Sequence, residues 1–210
     1  MKPKTPNEYL SKTEYAVKHM YAGLKSCFDN YQNALQYWDI SKINEPLNNE
    51  KKEKIDKYLT LAGKYFDLNF SENTFCGSIL QVASIGIDYF SKNQNIPDSF
   101  KDVINPKSEK VKKFCIGKEL YEVPIGLIVY AGRNQYNHWN DEDPYKIKIN
   151  NKIFEKLTIA FYKNMFSDLA FDLSNPSITI YAKEILLIAL KWYNYDIYYK
   201  EMKELFDTFC

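Results

Sequence analysis

Pro124-Ile-Gly-Leu-Ile-Val-Tyr-Ala-Gly-Arg-Asn-Gln-Tyr-Asn-His138-Trp139 is the stretch on which the reading of this chain turns. Pro124 suits the first turn of a helix, where its missing N–H is not needed. Ile125 to Val129 form an apolar run, and no breaker separates them from Arg133 to His138. The spacing predicts a helix with Arg133 and His138 in its C-terminal half, ended by the acidic segment Asn140-Asp-Glu-Asp-Pro144.

The flanking segments read the same way. Leu10, Val17, Met20, Tyr21, Leu24, Phe28, Tyr31, Leu35 and Trp38 step at three and four, which predicts a helix from about Pro6 to Asp39. Asn44 to Lys54, with Pro46, reads as a loop. A second helix carries Ile55, Tyr58, Leu59, Ala62, Tyr65 and Phe66. A break is expected over Asp67 to Ser71, and a third helix from Glu72 to Ser91. Gly77, Ser78, Ala83, Ser84 and Gly86 would let a neighbouring helix come close. Asp98 is a candidate cap for a short turn through Val103. Tyr145, Ile147 and Ile149 alternate with polar residues ahead of Asn150-Asn151, which suggests a short β-ribbon near 145–153. Helices are expected from about Phe154 to Asp172 and from Ile178 to Phe209, the latter bending near Asn194. Leu24, Phe28, Ile79, Val82, Leu127, Ile185 and Leu186 are the expected core. The whole, residues 1–210, reads as one all-α domain: a helical bundle with long antiparallel helices.

Composition agrees. Hydrophobic residues make up 45% and aromatics 16%, enough for a sizeable core, while 7 Gly and 8 Pro are too few for a turn-rich β protein. A formal charge of +1 excludes a nucleic-acid coat, so any nucleic-acid contact must use a local patch. Cys27, Cys76, Cys115 and Cys210 form no C-x-x-C pair, a poor spacing for zinc or for a disulfide framework. Met1-Lys-Pro-Lys-Thr-Pro has no apolar core, and the run from Ile185 to Leu190 is far short of a membrane span. The expectation is a cytoplasmic protein with no membrane partner.

Of 28 Lys+Arg residues a single one is arginine, Arg133. In a chain that otherwise uses lysine for positive charge, it marks a position that needs a planar, permanently charged fork. His138, one of two histidines, follows five residues later and is the type of side chain that titrates near neutrality. The other, His19, reads as a surface residue. An anion clamp beside a general base suits metal-independent cleavage of RNA. An imidazole takes the proton of a 2′-hydroxyl, the oxygen attacks phosphorus, and a guanidinium holds the charge that develops, leaving a 2′,3′-cyclic phosphate. DNA lacks that hydroxyl. On an ideal helix, residues five apart lie about 140° from each other, so Arg133 and His138 of one chain converge poorly. Asn134 shares a face with His138, and Asn137 with Arg133. Arg133, Asn134 and His138 are the candidate catalytic residues. Asn137, Tyr136 as a base-stacking ring, and Lys112 and Lys113 from a lysine-rich run are candidate RNA contacts. The plainer reading pairs Arg133 and His138 with Asp141, Glu142 or Asp143 as a helix stop. Those three adjacent carboxylates lack a convergent geometry for a metal, and neither metal nor cofactor is expected.

Gly126 to Trp139 resembles the signature of the HEPN superfamily. There an Arg, commonly followed by a polar residue such as Asn, precedes a His by less than two helical turns within a small helical bundle. Arg133, Asn134 and His138 stand at those three positions. The resemblance implies an endoribonuclease of a toxin or phage-defence system, working from a composite site at a homodimer interface, with an antitoxin or other regulatory protein as a partner. The alternative it leaves is a non-catalytic module that binds RNA, a nucleotide or a protein. One branch of the family has a tyrosine two residues after the His, where this chain has Asn140.

Overall fold

The computed structural model describes residues 2–35, 37, 48–138, 147–162 and 182–207. Its frame is an antiparallel pair of helices, α1 (Pro6–Leu35) and α2 (Asn49–Phe90). Tyr9 near the start of α1 lies against Gly86 near the end of α2, and Gly23 lies against Phe75. α2 is 42 residues long, about 63 Å at 1.5 Å per residue. Asn48 caps it by accepting the Lys51 N–H at 2.8 Å, so the expected loop gives way to helix at Asn49.

The break expected over Asp67 to Ser71 is absent. That segment holds weak helix formers but no proline or glycine. Its polar neighbours bond back along the helix instead of competing with it: Asn73 Nδ2 donates to the Asn69 carbonyl and Thr74 Oγ1 to the Phe70 carbonyl, each at 2.9 Å. One continuous helix replaces the two that were expected.

A 3-10 turn (Asp98–Phe100) and a short α3 (Glu109–Lys112) follow. Asp98 pairs with Lys101 and makes no side-chain cap. A two-stranded antiparallel sheet, β1 (Glu119–Leu120) and β2 (Val123–Pro124), then leads into α4 (Ile125–Asn137). Tyr121 and Glu122 at its tip both have positive φ, 56° and 60°, where Asn or Gly is usual. The ribbon expected near 145–153 is therefore misplaced. From residue 148 that segment is α5 (Lys148–Tyr162), with Ile149, Asn150, Ile153, Phe154 and Leu157 buried at helical spacing. Burial of that face outweighs the local alternation. Tyr145, Lys146 and residues 163–181 lie outside the described residues.

The last segment is broken near Asn194, as expected, but by a full turn. A π-helical turn (Glu184–Ala189) ends with Lys191 at φ 58°, and α6 (Tyr195–Asp207) starts after Asn194, whose Oδ1 accepts the Ile197 N–H at 3.0 Å. α4 runs antiparallel to α2, with Tyr136 beside Gly77 and Gly132 beside Leu80 and Ile185. α6 packs Phe206 on Gly86 and Tyr9. The small residues of α2 thus admit neighbours at close range, as their stripe suggested.

Leu24, Ile79, Leu127, Ile185 and Leu186 are buried, and Val82 packs half-buried against the core. Phe28 is the exception, 54% exposed. It keeps the helical phase of the inner stripe, but no described element closes over it, and it forms part of a groove wall. Among the described residues no helix is long and apolar enough to cross a membrane.

Candidate functional site

α4 begins as scaffold. The Gly126 N–H donates to the Ile116 carbonyl at 3.1 Å, and a Cβ at Gly126 would stand 2.4 Å from the Phe114 carbonyl oxygen. Ile125 to Val129 are buried on all sides. Two turns later the helix turns polar. Asn134 and Gln135 are still buried, Arg133 and Tyr136 are half-buried, and Asn137 and His138 are exposed. His138 is the C-terminal cap. Its N–H still donates to the Asn134 carbonyl at 3.0 Å, but its φ of −122° has left the helix.

Arg133 lies across α2. Its Nε donates to Gln81 Oε1 and its Nη1 to Asn134 Oδ1, both at 3.1 Å. Both acceptors are neutral amides, and no carboxylate pairs with Arg133 among the described residues. Among the described residues two of its N–H groups are occupied, and a guanidinium has five. The acidic residues 141–143, offered as its plain partners, lie outside the described residues, as do Trp139 and Asn140.

The structure places Arg133, Asn134 and Asn137 on the last two turns of α4 and His138 at its C-cap. Tyr136 joins them in sequence but turns toward α2, where a Cβ at Gly77 would meet its ring at 2.3 Å. Lys112 and Lys113 are not brought there. They abut the start of α4, roughly 10–18 Å back along the axis from Arg133 and His138. Lys112 is buried and donates to Gln94 Oε1 and Glu109 Oε1, both at 3.1 Å. Lys113 donates to the Asp88 carbonyl at 2.6 Å and to its carboxylate at 3.1 Å. Both ammonium groups already have partners. His19 is exposed on α1, its Nδ1 donating to the Tyr15 carbonyl at 2.8 Å.

Gln81 is the site residue that sequence reasoning missed. It is the long polar side chain in the run Gly77-Ser-Ile-Leu-Gln-Val-Ala-Ser-Ile-Gly86, and that was its available signal. On the same side of α2, Phe70, Ile85 and Tyr89 are exposed. At 100° per residue the four positions fall within about 100° of each other.

The described thiols are poor alternative nucleophiles. Burial pushes Cys76 well up, and it pushes Cys115 up to about 11. No family model, no curated protein and no solved structure matches this chain. The site therefore rests on its own geometry.

Proposed function

We propose that the protein is a metal-independent endoribonuclease that cuts RNA from Arg133, Asn134 and His138. The supporting observation is the state of the lone arginine. Its guanidinium is half-buried and oriented by two neutral amides, Gln81 and Asn134, with no acidic partner among the described residues. A purely structural arginine in such a place would be expected on a carboxylate. Held by amides, it keeps its full charge for a phosphate. His138, exposed one turn beyond Asn134, supplies the base that takes the 2′-hydroxyl proton.

A homodimer completes the site in this reading. The five-residue offset separates Arg133 from His138 on one chain, and the exposed Phe70, Ile85 and Tyr89 flank Gln81 as an apolar face for a second copy. Light scattering should give a dimer at micromolar concentration, and a fully active monomer would remove the composite site. The reading itself is tested by incubating end-labelled RNA with the protein in EDTA. Cleavage should persist in the chelator and disappear with His138→Ala. Equal cleavage by that variant would end it. Asn137 is placed to contact substrate; Lys112 and Lys113 contribute only if their internal pairs open.

A further inference from the structure

The contact between Gln81 and Arg133 joins α2 to α4, and its chemistry is directional. Arg133 Nε carries a hydrogen and cannot accept one, so it fixes which way the Gln81 amide faces. The amide oxygen points at the guanidinium and accepts at 3.1 Å. The amide nitrogen on the same carbon therefore stands beside the cation with two N–H groups. Among the described residues those groups donate to no acceptor. Gln81 is half-buried, and its nitrogen is not among the buried polar atoms that lack a partner, so these donors remain open to an incoming group.

Close packing on either side holds this contact in place. One turn back along α2, Gly77 lies under the Tyr136 ring, where a Cβ would stand 2.3 Å away. On the other side Gly132 lies against Ile185 and Leu80, where a Cβ would stand 2.5 and 3.0 Å away. The helices thus meet at close range both before and after Arg133, which limits drift at either end of the Gln81 bond. On α4 the guanidinium is tied again, through Nη1 to Oδ1 of the buried Asn134.

An amide at position 81 does what a carboxylate of the same shape would not. Glutamate would accept two N–H groups of the guanidinium side by side and cancel its charge. Glutamine accepts one, cancels no charge and adds two donors of its own.

We infer that Gln81 is the second half of the anion site: its amide N–H groups and the Arg133 guanidinium together hold one phosphate of the substrate. The role rests on the cleavage reading for the identity of that phosphate, and it adds a residue of α2 to a site otherwise drawn from α4 alone. Charge that develops on a phosphorane oxygen then meets a cation and a neutral donor, with no carboxylate at position 81 to oppose it.

The single arginine makes this measurable without a cleavage assay. In nitrogen-labelled full chain, the arginine Nε region of a proton–nitrogen NMR spectrum holds one resonance, that of Arg133. Inorganic phosphate should shift it saturably, at roughly millimolar concentration for so small an anion. In Gln81→Glu the resonance should move downfield through a charge-assisted bond, the Tm should hold or rise, and phosphate should no longer shift it. Gln81→Leu keeps much of the volume and removes acceptor and donors together. There exchange at the Nε–H should speed up about tenfold, and phosphate should bind several-fold more weakly. RNA cleavage is read separately: kcat should fall by about 10²-fold or more in Gln81→Glu, with KM changed little, because the pair acts on developing charge. No phosphate-dependent shift in the native chain, or an unchanged shift and affinity in Gln81→Glu, would overturn the role of Gln81. A native chain that takes phosphate as described yet cuts no RNA would sink the cleavage reading and leave the Gln81–Arg133 anion site standing.

Discussion

The two ends of α4 obey different physics. Its first turns, from Ile125 to Val129, are sealed from water, and Gly126 is wedged against the Phe114 carbonyl. Its last turns carry a guanidinium held by amides and end on an exposed imidazole. The first end can be changed only at a cost in stability. At the second, the exposed His138 is where a change should cost least in stability, so a loss of activity there reads as chemistry. That contrast is what separates a functional site from a well-satisfied polar cap, and each substitution below presses on one end.

The largest effect is expected at the exposed end. His138→Ala should lower RNA cleavage by about 10²–10⁴-fold, the contribution of one general acid–base group, with the thermal midpoint unchanged. Arg133→Lys should be impaired nearly as much, since an ammonium cannot bind Gln81, Asn134 and a phosphate in one plane. A drop in melting temperature that accompanies either activity loss would show that the end is structural after all.

The sealed end should respond in the opposite sense. Leu127→Ala should destabilise the fold by about 2–5 kcal/mol, and Gly126→Ala by about 1–3 kcal/mol through overpacking on Phe114, both read from urea midpoints. The activity of the fraction still folded should be normal. A tolerated alanine at Gly126 would mean that the Phe114 segment moves freely and that the start of α4 is not anchored as described.

Alkali should also act on the scaffold. Burial pushes the Tyr9 hydroxyl up to about 12, and it raises Tyr21, Tyr198 and Cys76 further still. Each of these groups is an acid that the fold keeps protonated. Their contribution to stability is intact below the unfolded values, roughly 10 for tyrosine and 8.5 for cysteine. It is lost as pH rises through the raised folded values, because the unfolded chain releases protons first. Urea midpoints should therefore fall between pH 8 and pH 11. A flat profile would contradict the burial of these groups.

The smallest effect is expected at the hairpin tip that feeds α4. Glu122→Gly should stabilise by about 0.4–1 kcal/mol, since its φ of 60° suits glycine. Loss of the Lys156 pair, which joins a side chain 78% exposed in Glu122, should offset little of that gain.

Much of the scaffold was legible because it is periodic. α1 begins at Pro6, Arg133 to Asn137 lie in the second half of α4, and His138, expected inside the helix, is its C-cap. Local reading failed where a distant partner decided the outcome. Ile147 and Ile149 alternate like a strand, yet the Ile153, Phe154 and Leu157 face settles that segment as helix. Phe28 has the phase of a core residue, but burial requires a neighbour that phase cannot supply. Tyr121-Glu122 carries no turn signature, so the hairpin was invisible. In the site, Arg133, Asn134 and His138 could be read because they share one helix. Gln81 could not be, because 52 residues separate it from the guanidinium it orients.

The measurement that bears most directly on the central claim is the chemistry of the cut end. Cleaved RNA from a reaction in EDTA would be analysed by mass spectrometry, with a DNA strand of the same sequence alongside. Attack by the 2′-hydroxyl through His138 and Arg133 predicts a 2′,3′-cyclic phosphate and intact DNA. A 3′-hydroxyl end, or cleavage of the DNA strand, would contradict it even if the RNA is cut.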